Sequence, residues 1–397
     1  MHLPALNIPD LMVPLWRGMF DCDKTDNRSA WKFATLTKDR FDAQGKRVDA
    51  ARRWIPGSFD RTPRNPAEKI SSGYKAWEFL LWYYGLGPCL MFGDLPHLYW
   101  RHYCKFVRAI RILLQEEITT DELFEAHTLL TQWSNEFEEL YVERRADRIH
   151  FVRASVHAPS HMPFEAIRIG PGIIYSQWTM ERTIGNLGEE IKQHANAFAN
   201  LMQRGLRRCQ INALKSIIPD LEPVERPLPH TACDLGDGYA LLHATDTIAR
   251  RDTTEAEQAA LQRYAGAHML DAGEVVETDW QPQVVRWARL SLPNGQIARS
   301  RWKEEERSAD SDIRVEQPVV VVSMFGPPHA ELLADSYKTY YTCQHSRDTD
   351  SVVMMAPDTT YGMRIQDGTE NNRWFMMEKP GLKVSLLTGT VEPQNDI

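Results

Sequence analysis

Apolar positions recur at helical spacing from about residue 75 to residue 217 and give way to alternating, β-branched runs beyond about residue 280. The stretch Tyr74–Tyr84 is apolar on nearly every face, which predicts a buried helix closed by Gly85 and Gly87-Pro88. Leu98, Tyr99, Phe106, Val107, Ile110, Leu113 and Leu114 line one face of a second helix over about 97–117. Thr119, Thr120 or Asp121 can cap the next helix, ahead of an acidic first turn. Its apolar line runs Leu123, His127, Leu130, Trp133, Phe137, Leu140 and Tyr141. Two further helices fit 179–193 and 197–217, the second stopping before Pro219.

After Leu221 the pattern changes. Residues 222–235 are proline-rich and read as a linker, followed by a short helical piece over about 253–265. Val284–Leu292 and Gln296–Trp302 flank Pro293-Asn294-Gly295, a hairpin signature with Asn-Gly at the turn. Val319–Phe325, Tyr340–Cys343, Val352–Met355 and Trp374–Met377 are further strand candidates. The expected class is α+β, a mainly helical N-terminal region followed by a small antiparallel β domain. The expected division is an N-terminal segment 1–53, a helical region 54–220, a linker 221–235 and a β-rich domain 236–397.

Charge sharpens that division. Residues 1–215 hold 29 basic and 25 acidic side chains, whereas 216–397 hold 17 and 29. Within 45–75, eight basic residues face three acids, a local excess that suits either a polyanion or a solvated loop. Overall the 397 residues are 43% hydrophobic and 25% charged, which excludes a disordered or collagen-like chain. No run approaches the ~18–20 apolar residues of a membrane helix. The six cysteines are scattered without a C-x-x-C pair, and no secretory signal pattern opens the chain, so reduced thiols in the nucleus or cytoplasm are expected.

Motifs for nucleotide, serine-hydrolase and zinc-protease chemistry are missing. His150, His157 and His161 form the one local histidine cluster. The i, i+4 pair His157/His161 is interrupted by Pro159, which argues against one helix displaying both imidazoles, and core or hydrogen-bonding roles are favoured over a zinc site. Asp21 and Asp23 can hold a cation or simply form a solvated turn. In 170–193, an aromatic stretch enters a helix bearing Glu181, Arg182 and Glu189. A carboxylate there serves either as a cap or as a magnesium ligand.

Four stretches taken together resemble a known family: WIPGSFDRTPRNPAEKISSGYKAWEFLLWYYGLGP (54–88), LPHLYWRHYCKFVRAIRILLQEEIT (95–119), FEELYVERRADRIHFVRASVHAPSHMPFEAIRIGPG (137–172) and YSQWTMERTIGNLGEEI (175–191). They are similar to the C-terminal part of transposase-derived proteins abundant in basidiomycete fungi, which resemble CACTA-type and Kyakuja–Dileera–Zisupton-type DDE transposases. The resemblance spans about 10–220 and loosely includes the β-rich tail. It implies an RNase H-like core with two early aspartates and a late glutamate, the helices at about 74–145 being an insertion and 150–195 the last segment. Glu181 matches the third acid. The sheet carrying the two early aspartates is expected upstream of residue 1, and Asp21 and Asp23 match no motif for them. The resemblance further implies Mg2+ or Mn2+ as cofactor, DNA as partner and a nuclear location. It predicts a truncated or degenerate transposase, not catalytic alone unless a separate N-terminal part completes it in trans. The alternative is a domesticated DNA- or chromatin-binding scaffold. Arg52, Arg53, Arg61, Arg64, Arg144, Arg145, Arg148, Arg153, Arg204, Arg207 and Arg208 are the candidate phosphate contacts, Arg207 and Arg208 being equally suited to pairing with helix acids.

Overall fold

The structure is a computed structural model. It describes residues 2–52, 55, 62–177, 180, 184–186, 188, 194–218, 221, 228–230, 232–236, 238–245, 255–269, 287–291, 297–299, 319–323, 325–345, 351–355 and 373–376. It separates into two compact units. The first takes the described residues of Met1–Val48 and Pro63–Arg226, the second those of Asp49–Thr62 and Pro227–Met377. The class is α+β, helix-dominated, with small antiparallel sheets.

The first unit is built around aromatic side chains. Its N-terminal residues, expected as a separate segment, are part of the core. Leu3–Asn7 and Ile8–Trp16 form successive helical turns in which Ala5, Ile8, Leu11, Val13, Leu15 and Trp16 are fully buried. This helix shows no polar stripe to read from periodicity, because nearly its whole circumference is covered. Trp16 stacks on Tyr83 with ring centroids 5.9 Å apart and meets Tyr103 edge-on at 5.4 Å. Its indole N–H donates to Tyr141 Oη over 3.0 Å, and Tyr84 Oη donates to Pro4 O over 2.6 Å. The polar tips of these buried rings are thereby satisfied.

The predicted helix over Tyr74–Tyr84 does not end at Gly85. Ala76–Phe79 widens into the π-helical turns Leu80–Leu86 and then continues as Gly87–Leu90. Gly87 is required by packing rather than by termination: a Cβ there would sit 2.0 Å from Tyr103 Oη, which itself donates to Tyr83 O. Pro88 occupies the first turn of the last piece, where its missing N–H costs little. His97–Leu113 and Thr120–Phe137 follow close to their expected bounds. Thr119 opens the latter with a capping box, donating N–H to Glu122 Oε2 over 2.9 Å and accepting from Glu122 N–H over 3.3 Å. The chain then leaves Glu138–Val142 through left-handed Glu143 and Arg144, a reversal that directs residues 145–151 back under the N-terminal elements.

Further along, Ala197–Ile217 matches the predicted helix bounds. The helix expected over 179–193 falls largely outside the described residues.

The second unit contains three antiparallel sheets. Strands β1 (Cys233–Gly236), β2 (Tyr239–Thr245), β3 (Trp287–Ser291) and β4 (Ile297–Arg299) are ordered 1-2-3-4. Residues 233–235, read from sequence as linker, therefore lie in a strand. The predicted hairpin is present as β3–β4, with Leu290 opposite Ala298. Strands β5 (Val319–Ser323) and β8 (Ser351–Met355) pair over their full lengths. Strands β6 (Phe325–Pro328), β7 (Tyr341–His345) and β9 (Arg373–Met376) form the third sheet, with β7 central. The helical piece expected over 253–265 is Glu255–Met269.

Candidate nucleic-acid interface

Whether an arginine can meet a phosphate depends on what already holds its guanidinium. Arg64 binds Glu78 in fork geometry, Nε donating to Oε1 over 2.7 Å and Nη2 to Oε2 over 2.6 Å. The Glu78 side chain is fully buried. Burial alone would raise its pKa. The bonds from Arg64 and from the backbone N–H groups of Lys75 and Arg64 outweigh this and hold it below the usual carboxylate range. The pair closes the loop 64–78 onto the start of the Ala76–Phe79 helix.

A larger network surrounds Asp26. Arg148 donates from Nε to Asp26 Oδ2 over 2.8 Å and from Nη2 to Oδ1 over 2.9 Å, while Nη1 reaches Glu143 Oε2 at 3.0 Å. Side-chain exposure is 1% for Arg148 and 0% for Asp26. Trp31 Nε1 adds a 2.7 Å bond to Asp26 Oδ2. The Arg148 hydrogen bonds hold the Asp26 carboxyl below its ordinary pKa in spite of burial. Arg145 lies 3.3 Å from the same carboxylate and grips Asp147 through two bonds of 3.0 and 2.6 Å. Arg145 is the main reason Asp147 is lowered to about 2.

These positions revise the candidate set. Arg148 is buried and cannot face a phosphate. Arg64 and Arg145 spend their planar donors on carboxylates, and Arg153 meets Asp10 at 2.9 Å. Arg144 is exposed, with Glu139 at 3.8 Å, and Arg52 is exposed. Arg53, Arg61 and Glu181 lie outside the described residues. Asp21 and Asp23 stand on an exposed turn, where Asp23 accepts from Thr25 N–H at 2.9 Å and Thr25 Oγ1 at 3.0 Å. The Asp26–Arg148 pair spans 122 residues of sequence. No local spacing marks it.

The remaining candidates, Arg204, Arg207 and Arg208, lie on a different kind of element. Ala197–Ile217 carries Arg204, Arg207, Arg208 and Lys215 with no acid among its residues, and none of its residues is buried. At 100° per residue, Arg204, Arg207, Arg208 and Lys215 fall on one side. Phe198, Met202 and Leu206 fall on the other and are 61–89% exposed. Lys215 is an addition to the sequence-based candidates. Its signal is the acid-free run 197–217.

A two-ion mechanism needs several converging carboxylates. Among the described residues no three His, Cys, Asp or Glu side chains converge on one point. The described part of the chain therefore supplies no fit for paired Mg2+ or Mn2+. No described helix is long and apolar enough to cross a membrane. Set against known proteins, the chain matches no protein-family model, no curated protein and no solved structure.

Proposed function

We propose that this chain is a fragment of DDE-transposase ancestry that engages nucleic acid without cutting it unaided. In this reading the helical unit corresponds to the insertion and last segment of an RNase H-like core, and the chain works in the nucleus. The observation that carries the binding half is the Ala197–Ile217 helix, which places four basic residues on one side and holds no acid of its own, with Arg207 exposed and Arg204, Arg208 and Lys215 half-buried. Such a helix gains affinity by releasing counterions from phosphates, independently of sequence. Arg144, exposed in the same unit, is a further basic side chain available to phosphates.

The alternative reading is a domesticated DNA- or chromatin-binding scaffold, for which the well-packed helical unit with its buried Asp26–Arg148 pair would be the platform. A separately encoded N-terminal part would restore cutting by adding the two early aspartates in trans.

The test is duplex DNA binding by fluorescence anisotropy between 50 and 200 mM salt. Replacing Arg204, Arg207, Arg208 and Lys215 by Ala should weaken binding and flatten the salt dependence by about 0.9 for each phosphate no longer neutralised. Unchanged binding by that variant, or no binding at low salt, would overturn the reading. With Mn2+ and supercoiled plasmid, no nicking is expected. Nicking that disappears in Glu181→Gln would show that the chain completes a catalytic site itself.

A further inference from the structure

We propose that His157 and His161 form a chelating pair for a late first-row divalent ion of the zinc and copper class. The two Nε2 atoms lie 3.0 Å apart on exposed side chains. Two nitrogens bound at ~2.0–2.1 Å to one ion stand about 2.9 Å apart at a right angle and about 3.3 Å apart at the tetrahedral angle. The observed spacing falls between those values, so the bite of a chelate already exists. The rings meet edge to face, 81° between planes with centroids 4.8 Å apart.

Pro159 lies where the α-helical turn that ends at His157 gives way to the 3-10 turn that ends at His161, so no single helix displays both imidazoles, yet they converge. Ala154–His157 passes into the 3-10 turn Ala158–His161 and then into Met162–Ile169. His157, Ala158, His161 and Met162 all keep right-handed helical backbone angles. Pro159 sits in the first turn of its segment, where no intrahelical N–H is needed. Its ring is buried on the inward side, as are Val156, Pro163 and Ala166. The inward face anchors the segment and the two imidazoles share the outward one. Ser160 Oγ donates to His157 O over 2.7 Å and tightens the turn between them. Packing of the inward residues fixes the backbone that spaces the two histidines, which lowers the ordering cost of binding.

In the metal-free pair one ring donates its Nε2–H to the other ring's Nε2. Binding requires both Nε2 lone pairs. The donating ring shifts its proton to Nδ1 through water, both rings stay neutral, and no redox step is involved. Imidazole nitrogen suits Zn2+ and Cu2+, whereas Mg2+ takes oxygen ligands. The pair is thus unrelated to the ions implied for strand cleavage. Among the described residues no third His, Cys, Asp or Glu joins the pair to complete a ligand group, which leaves open positions to water or an outside donor.

The experiment titrates the full chain, free of any affinity tag, with ZnCl2 and separately with CuCl2 in the presence of excess MgCl2. Calorimetry gives stoichiometry, and electron paramagnetic resonance of the Cu2+ form counts bound nitrogens. The expected result is one ion at this pair with two nitrogen ligands, unaffected by Mg2+. Affinity should fall at least about tenfold in His157→Gln and in His161→Gln, with little further loss in the double variant. His230→Gln, at an exposed histidine elsewhere, should bind as wild type. Circular dichroism checks that the variants stay folded. Binding that survives both single substitutions, or a one-nitrogen Cu2+ signal, would overturn the proposal.

Discussion

Basic residues occupy two different settings in the first unit. Between residues 64 and 153, Arg64, Arg145, Arg148 and Arg153 each meet a carboxylate, from two to 143 positions away. In Ala197–Ile217, four basic residues share a helix that contains no carboxylate and buries nothing. The local charge excess in the sequence does not distinguish these cases. The carboxylates that the fold brings to the first group do: Arg148, taken out of water, must be paired, while the exposed Arg64, Arg145 and Arg153 are held by carboxylates at the surface. The first group is engaged by the fold, and the helix is the one we assign to a polyanion.

The largest expected effect tests the first half of that comparison. Arg148→Met leaves Asp26 buried beside Trp31 without its main partner and should cost about 3–5 kcal/mol, read as a lower denaturant midpoint. Asp26→Asn combined with Arg148→Met removes both charges and should recover much of the loss. A single variant within about 0.5 kcal/mol of wild type would show that the pair is not structural.

The contrast between charged pairs and a lone buried base also predicts acid behaviour. His102 is fully buried, bonded through Nε2 to Trp133 O over 2.9 Å, with Nδ1 buried and unpartnered. Burial lowers its pKa from 6.5 to about 3. Because the unfolded chain takes up this proton near pH 6.5 and the folded chain only near 3, stability falls as pH drops through that window. The slope is roughly 1 kcal/mol per pH unit. His102→Gln keeps a donor for Trp133 O and should flatten the dependence between pH 6 and pH 5 by about that amount. Asp26 and Glu78, with depressed folded-state pKa values, contribute stability above the ordinary carboxylate range. That contribution is lost as pH falls through their lowered values. An unaltered pH profile in the His102 variant would assign the acid loss to these carboxylates alone.

Much of the fold is legible in the sequence because its signals are local. The capping box at Thr119, the 97–113 and 197–217 helices, and the β3–β4 hairpin all rest on residues within a few positions of one another. Ile8–Trp16 escapes a periodicity reading because full burial erases the polar face that periodicity needs. Gly87 resembles a helix stop because its crowding against Tyr103 exists only in three dimensions. The arginine roles are the least legible. Asp10 and Arg153 are 143 positions apart, and an ion pair across that distance leaves no mark in spacing. The histidine pair is obscured for the opposite reason: the helix type changes at Pro159, but the 3-10 turn that follows still brings the two imidazoles together.

A smaller effect belongs to Glu78. Glu78→Gln keeps the size and one acceptor but removes the charge that Arg64 grips, and about 1–3 kcal/mol should be lost. Arg64→Ala should cost at least as much, because it leaves the carboxylate buried without its principal donor. A milder result for Arg64→Ala than for Glu78→Gln would mean that the backbone N–H groups of Lys75 and Arg64 satisfy Glu78 on their own.

The smallest stability effect, and the one that decides the comparison, is expected from Arg207→Ala with Arg208→Ala. If the helix carries its charge for a partner rather than for the fold, removing two of its four basic residues should shift stability by less than about 0.5 kcal/mol. Alanine is also the stronger helix former, which works against any loss. The same variant should lower the salt slope of duplex DNA binding by nearly two units if each side chain meets one phosphate. The control is Arg153→Ala, which removes a surface pair with Asp10 and should leave the salt slope unchanged. The two measurements together separate the roles. A large stability loss without a change in salt slope would place Arg207 and Arg208 with the arginines that hold the fold, and the division between structural and binding arginines would fail at the helix that defines it.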